Sequence, residues 1–131
     1  MKDIIITLCG STRFKPLFEI ADRQLTYAGY LVFNVGSCYR HFETPEIQRE
    51  ILEHEEKICR VHKRKILLSR AILVIDGDGQ ALSQNYMGDH TKSEIRFATR
   101  NHIPIYYYSK GGLYRLLNGE RLKLLKRIAS Q

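Results

Sequence analysis

Apolar residues along the 131-residue chain fall into two habits, short continuous runs and stripes at helical spacing. Asp3-Ile4-Ile5-Ile6-Thr7-Leu8-Cys9 is a β-branched run closed by Gly10, the composition of a strand covered on both faces. From Pro16 onward, Leu17, Ile20, Ala21, Leu25 and Ala28 recur at helical spacing up to Gly29, predicting a helix that stops at a glycine. Tyr30 to Val35 is a second buried run, closed by Gly36-Ser37. Thr44-Pro45-Glu46 sets a capping residue, a first-position proline and a first-turn acid in sequence, which announces a helix. Ile47, Ile51, Ile58, Val61 and Leu68 continue it at spacings of three, four and seven, with no Gly or Pro before Gly77. One long helix, or two in tandem, fills that span. Ala71 to Asp76 is a third strand running into the turn residues Gly77-Asp78-Gly79,. Thr91-Lys92-Ser93-Glu94 opens a helix with Ile95, Ala98 and His102 on one face. Pro104 to Tyr108 is a fourth strand whose tyrosines alternate faces, and Arg115 to Ala129 has the pattern of a basic amphipathic helix.

Strands alternating with helices, each strand a near-continuous apolar run, imply a parallel sheet with both faces covered. The expected fold is therefore a single α/β domain over 1–131: a small doubly wound, Rossmann- or flavodoxin-like parallel sheet of four to five strands. Its order should be 2-1-3-4, with helices on both faces. Ligands bind such sheets outside the carboxyl ends of the strands where the order reverses, which nominates the loops after Cys9 and after Asp76.

Composition narrows the setting. The chain is 44% hydrophobic and 27% charged, and no apolar run approaches the roughly 18 residues of a membrane span. A soluble, cytoplasmic protein with no membrane partner is expected. Cys9, Cys38 and Cys59 cannot all pair, and the five histidines fall in no His-Glu-x-x-His or His-x-x-x-His pattern. The expectation is a reducing compartment, no metal site and no cofactor. The net charge of +7 favours anionic partners. It gathers in Arg60 to Arg70 and after Tyr108. Both segments read as solvated helix faces or as phosphate-facing surfaces. They lack the interleaved aromatics of a single-strand binder,, so nucleic acid is not the expected partner.

Three places carry candidate chemistry. Gly10-Ser11-Thr12-Arg13 joins a strand to a helix start, where exposed N–H groups and the helix dipole attract an anion and Arg13 can add a forked contact. The same residues also serve a tight turn for geometry alone. Thr91 and Glu94 have capping-box spacing, so Glu94 either returns a hydrogen bond to the helix start or presents a carboxylate to a ligand as a nucleophile. Asp76, an acid at the carboxyl end of a central strand, lies where ligands bind. Cys9 reads as a small core residue at the edge of that site, and His62, inside a basic helix turn, as a surface residue.

Cys9-Gly10-Ser11-Thr12-Arg13-Phe14, His62-Lys63-Arg64-Lys65-Ile66 and Tyr86-Met87-Gly88-Asp89-His90-Thr91-Lys92-Ser93-Glu94-Ile95, in this order and spacing, resemble the nucleoside 2-deoxyribosyltransferase-like superfamily, including its nucleoside-monophosphate N-glycosidase branch. The resemblance covers the chain from about Ile4 to Tyr108. It implies a Rossmann-like fold, a homodimer or higher homo-oligomer, and a nucleoside or nucleotide as the small-molecule partner. It also implies that Glu94 attacks the anomeric carbon of the pentose to form a glycosyl-enzyme. Cys9, Gly10, Ser11, Thr12 and Arg13 would border the nucleotide and hold its phosphate, and Gly88, Asp89, His90, Thr91 and Ser93 would close over the sugar. Arg64 stands where many members carry an acid near the leaving base, Ile72 where they carry an aspartate, and Thr7 where they carry an aromatic. Arg64 suits a phosphate, and Asp76 or Asp89 is left to supply the proton for the base. The implied activity is deoxyribosyl transfer or nucleoside-monophosphate N-hydrolysis; the alternative is a catalytically degenerate nucleotide-binding module of the same fold.

Overall fold

The computed structural model describes residues 3–36, 38–76, 88–109, 112–117 and 120–123. Strand β1 (Ile5–Gly10) leads through a 3-10 turn (Thr12–Phe14) into helix α1 (Lys15–Tyr27) and strand β2 (Leu31–Phe33). A second 3-10 turn (Arg40–Phe42) precedes helices α2 (Pro45–Glu53) and α3 (Glu55–Leu67). Strand β3 (Ala71–Ile75), helix α4 (Asp89–Arg100) and strand β4 (Ile105–Ser109) follow, then β5 (Gly112–Leu117) and β6 (Glu120–Lys123).

The sheet runs β2-β1-β3-β4-β5-β6. Its first four strands are parallel and stand in the expected order, with β1 between β2 and β3. Period-two alternation distributes their side chains between two cores. Ile6 and Leu8 of β1 and Ala71, Leu73 and Ile75 of β3 pack with Phe18, Ala21 and Leu25 of α1. Cys9, Ile72 and Val74 face the other way, onto Ile66 of α3 and Ala98 of α4. Tyr108 joins the first core and Tyr107 packs against the second, so the tyrosines do alternate.

Local chemistry explains the element ends. Helix α1 closes with a Schellman motif: the Tyr30 N–H donates to the Leu25 carbonyl at 3.0 Å and the Gly29 N–H to that of Thr26 at 3.0 Å. Gly29, at φ +94°, supplies the left-handed residue this motif needs. The Thr44 hydroxyl accepts from the Ile47 N–H at 3.3 Å, capping α2 as its sequence predicts. Two tandem helices, not one, fill the following span, because His54 leaves helical geometry at φ −107°, ψ 16°.

Four expectations are corrected. Strand β2 is an edge strand, with Leu31 46% exposed, because nothing pairs with its outer side among the described residues. Val61 and Leu68 face solvent; the buried stripe of α3 is His62 and Ile66. His102 lies past the end of α4 at φ 58°, off the helix face. The predicted C-terminal helix is replaced, as far as Lys123, by the antiparallel pair β5 and β6. Between those strands the chain reads Asn118-Gly119, a strong hairpin signal that outweighs helical spacing in the flanking residues. The remainder of that tail and the Gly77-Asp78-Gly79 turn lie outside the described residues. No helix among the described residues is long and apolar enough to cross a membrane.

Candidate functional site

Strands β1 and β3 end side by side, Gly10 opposite Ile75. The approach is too close for any side chain: at Gly10, φ +143°, a Cβ would stand 2.5 Å from the Ile75 carbonyl oxygen. Glycine is therefore required here by packing, and the loop leaving it opens onto a cavity of about 480 Å³, within the usual range for small-molecule sites. Gly10, Ser11 and Thr12 form one wall; Gly88, His90, Thr91 and Glu94 of the α4 end form another. Helix α3 contributes Glu55, Cys59, His62 and Lys65, and the segment before α2 brings Arg40 and His41. Ser11 caps the 3-10 turn through its hydroxyl, and the Thr12 hydroxyl is 2.7 Å from His41 Nδ1. The first loop is thus held at the start of its turn.

Helix α4 begins earlier than its sequence suggested, at Asp89, with Gly88 as N-cap and no side-chain cap bond. The Thr91–Glu94 capping box is not formed. Thr91 is 3% exposed in the first turn, and Glu94 sits in the second turn, its side chain 13% exposed, on the cavity wall. Residues 89–93, expected as a closing loop, are the first part of this helix.

Glu94 has two buried companions. Cys9, fully buried, has its Sγ within 4.8 Å of the Glu94 carboxyl, and His62 Nε2 lies 3.8 Å from Glu94 Oε2 and 3.5 Å from Cys9 Sγ. Burial raises the Glu94 pKa to about 7, against smaller opposing effects of the neighbouring Cys9 thiol and the Lys63 charge. Burial lowers the His62 pKa to about 4, with Lys65 adding to the effect. The Cys9 thiol is pushed well above its ordinary range by burial and by the neighbouring carboxylate. Near neutrality His62 is uncharged, so its contact with Glu94 is not an ion pair. Glu94 is thereby brought to the edge of ionisation near neutrality, which suits a carboxyl group that must shed its proton to react.

Around the mouth, the His90 imidazole bridges two groups: Nε2 is 2.5 Å from Glu55 Oε1 and Nδ1 is 3.4 Å from Cys59 Sγ. Lys65 Nζ donates to the Asn34 carbonyl at 2.7 Å, which fixes its ammonium near the cavity. The wall also bears Arg40 and Lys57, giving it three cationic side chains against two carboxyl groups, Glu55 and Glu94, a balance that favours an anionic ligand.

The cavity thus gathers Gly10, Ser11, Thr12, Gly88, His90, Thr91 and Glu94 of the predicted site, with Cys9 directly behind Glu94. Arg13, Arg64, Asp76, Asp89 and Ser93 do not line it. Arg64 follows buried His62 by two residues, about 200° around the helix, and is exposed on the outer side of α3. Asp76 is 1% exposed at the end of β3, where its charge helps burial raise the Tyr107 phenol. Arg13 and Asp89 are exposed and Ser93 is half-buried. Thr7, at the position expected to approach the base, is fully buried and bonds to Ser69 and, at 3.2 Å, to the Lys65 carbonyl.

The main residue missed in sequence is His62, expected at the surface and found 4% exposed. Its signal was the spacing Ile58–His62–Ile66, one helix stripe if histidine is allowed on the buried face. His41, Arg40, Glu55 and Cys59 carried no comparable signal, because the second 3-10 turn and α3 reach the cavity only through tertiary packing. No protein-family model, curated protein or solved structure matches this chain.

Proposed function

We propose that the protein acts on the N-glycosidic bond of a nucleoside or nucleoside monophosphate, by deoxyribosyl transfer or by hydrolysis, with Glu94 as the nucleophile. One observation carries this: the Glu94 carboxyl group, withdrawn from bulk water and with a pKa of about 7, faces a cavity of nucleotide dimensions at the switch point of the sheet. An oxygen of ionised Glu94 forms a bond to C1′ as the C1′–N bond breaks and its electron pair leaves with the base. The same carboxylate stabilises the positive charge that builds on the sugar. The departing base takes a proton. His90, held by Glu55 at 2.5 Å, is the wall residue equipped to give it, in place of Asp76 or Asp89. Water or a second base then attacks C1′ and releases Glu94. The Gly10–Thr12 loop, Arg40 and Lys65 take the part first assigned to Arg13 and Arg64, holding a phosphate. The proposal includes a cytoplasmic setting, in keeping with the free thiols, and a homodimer or higher oligomer, which sedimentation would test.

A binding module without turnover is the second reading, favoured by the absence of Asp76 and Asp89 from the cavity wall. Incubation with deoxynucleosides and their monophosphates, with and without a second free base, separates the two by chromatography. Base release to water marks a hydrolase, exchange only with the second base a transferase, and binding without either a module. Turnover that persists in Glu94→Ala would overturn the mechanism.

A further inference from the structure

We infer that Cys9, His62 and Glu94 form a three-ligand site for a zinc-type divalent metal ion, with the fourth position open to the cavity. The three side chains come from β1, α3 and α4, and their donor atoms all lie within 4.8 Å of one another. Tetrahedral zinc holds sulfur at about 2.3 Å and nitrogen or oxygen at about 2.0–2.1 Å, which sets S···N edges near 3.5 Å and N···O edges near 3.3 Å. The corresponding distances in the structure are 3.5 Å from Cys9 Sγ to His62 Nε2 and 3.8 Å from His62 Nε2 to Glu94 Oε2. A shift of the Glu94 oxygen by about 0.5 Å closes the second edge.

The surroundings fit the same ion. Thiolate and carboxylate together balance a dication, so the loaded cluster is neutral in a place where an isolated charge would be costly. The thiol proton leaves to solvent as the sulfur–metal bond forms. One thiolate, one imidazole and one carboxylate suit zinc or cobalt and not magnesium or calcium. His62 and Glu94 line the cavity, which supplies both the entry path and the fourth ligand, a water or an anion. The Cys59, His90 and Glu55 group at the mouth does not compete for this role. There the thiol and the carboxylate meet opposite nitrogens of one ring, so the three cannot close around one ion.

A metal ion seated here takes the Glu94 oxygen that attack on C1′ needs. Zinc should therefore suppress any base release, and chelation should restore it. Binding itself is measured without substrate, so it stands or falls separately from the glycosidic reaction. Chelator-washed protein is titrated with cobalt(II) and followed by absorption. One equivalent should produce a sulfur-to-cobalt charge-transfer band in the near ultraviolet and the strong visible bands of four-coordinate cobalt, both erased by zinc. The Cys38→Ser/Cys59→Ser double variant, in which Cys9 is the remaining thiol, should keep the full signal. Cys9→Ser should lose the charge-transfer band, and His62→Gln should weaken cobalt binding at least tenfold. Absence of the band at stoichiometric cobalt in the double variant would overturn the inference, whether or not Cys9→Ser folds. Its survival in folded Cys9→Ser would do the same.

Discussion

Replacing Glu94 by Gln should stabilise the metal-free protein in alkaline solution and do so less and less as the pH falls. The folded state raises this carboxyl from its ordinary 4.5 to about 7. Between those values it binds more protons than the unfolded chain, so the Glu94 contribution to stability falls as pH rises. At about 1.4 kcal/mol per pH unit, the full effect above pH 7 is about 3 kcal/mol. Gln has nearly the same shape and carries no charge. Glu94→Gln should then exceed the native protein by about 3 kcal/mol at pH 8 and by about 1 kcal/mol at pH 5. His62 works in the opposite direction. Its pKa is lowered from 6.5 to about 4, so the folded state binds fewer protons across that window and loses stability as pH falls. The two slopes cancel between roughly pH 4.5 and 6.5 in the native protein, leaving it flat there. Glu94→Gln, with His62 alone, should gain stability as pH rises through the same range. Urea unfolding followed by circular dichroism at several pH values, in chelator, measures all of this. A variant less stable than the native protein at pH 8, or an advantage that does not vary with pH, would show that Glu94 ionises in the fold without penalty.

The acidic limb of base release by the native enzyme should rise with pH toward about 7, the value to which burial brings Glu94; initial rates across pH 4–7 check this, and a rate that falls as the pH rises through that limb contradicts a carboxylate nucleophile. Gly10→Ala should lower stability by about 2–4 kcal/mol, combining the positive φ with the 2.5 Å approach to the Ile75 carbonyl oxygen,, as read from the urea midpoint. Phe18→Ala should lower it by about 3–5 kcal/mol, because Phe18 is fully buried on the inner face of α1,; the same denaturation assay applies, and a loss under 1 kcal/mol would mean the first core is not packed as described.

The parallel sheet and its order were legible in the sequence because each strand is an uninterrupted apolar run, and such runs survive only where both faces are covered. Helix signals such as Thr44-Pro45 and Gly29 were equally local, since capping depends on residues within one turn. The tail was misread because helical spacing in Arg115 to Ala129 competes with Asn118-Gly119, and pairing with β4 decides the outcome up to Lys123. The rotated face of α3 was misread for a related reason: Val61 and Leu68 are apolar, but it is His62 and Ile66 that the sheet covers.

The amino-acid order by itself determined the α/β class, the switch point between β1 and β3, and Gly10 and Glu94 as residues of interest there. Periodicity and turn chemistry act over a few residues, so they can be read directly. Only the tertiary structure decided that Cys9, His62 and Glu94, separated by 53 and 32 positions in the chain, share one buried cluster. It also turned Arg64 outward and set Arg40 and Lys65 on the cavity wall. Burial and its effects on protonation arise from packing between elements.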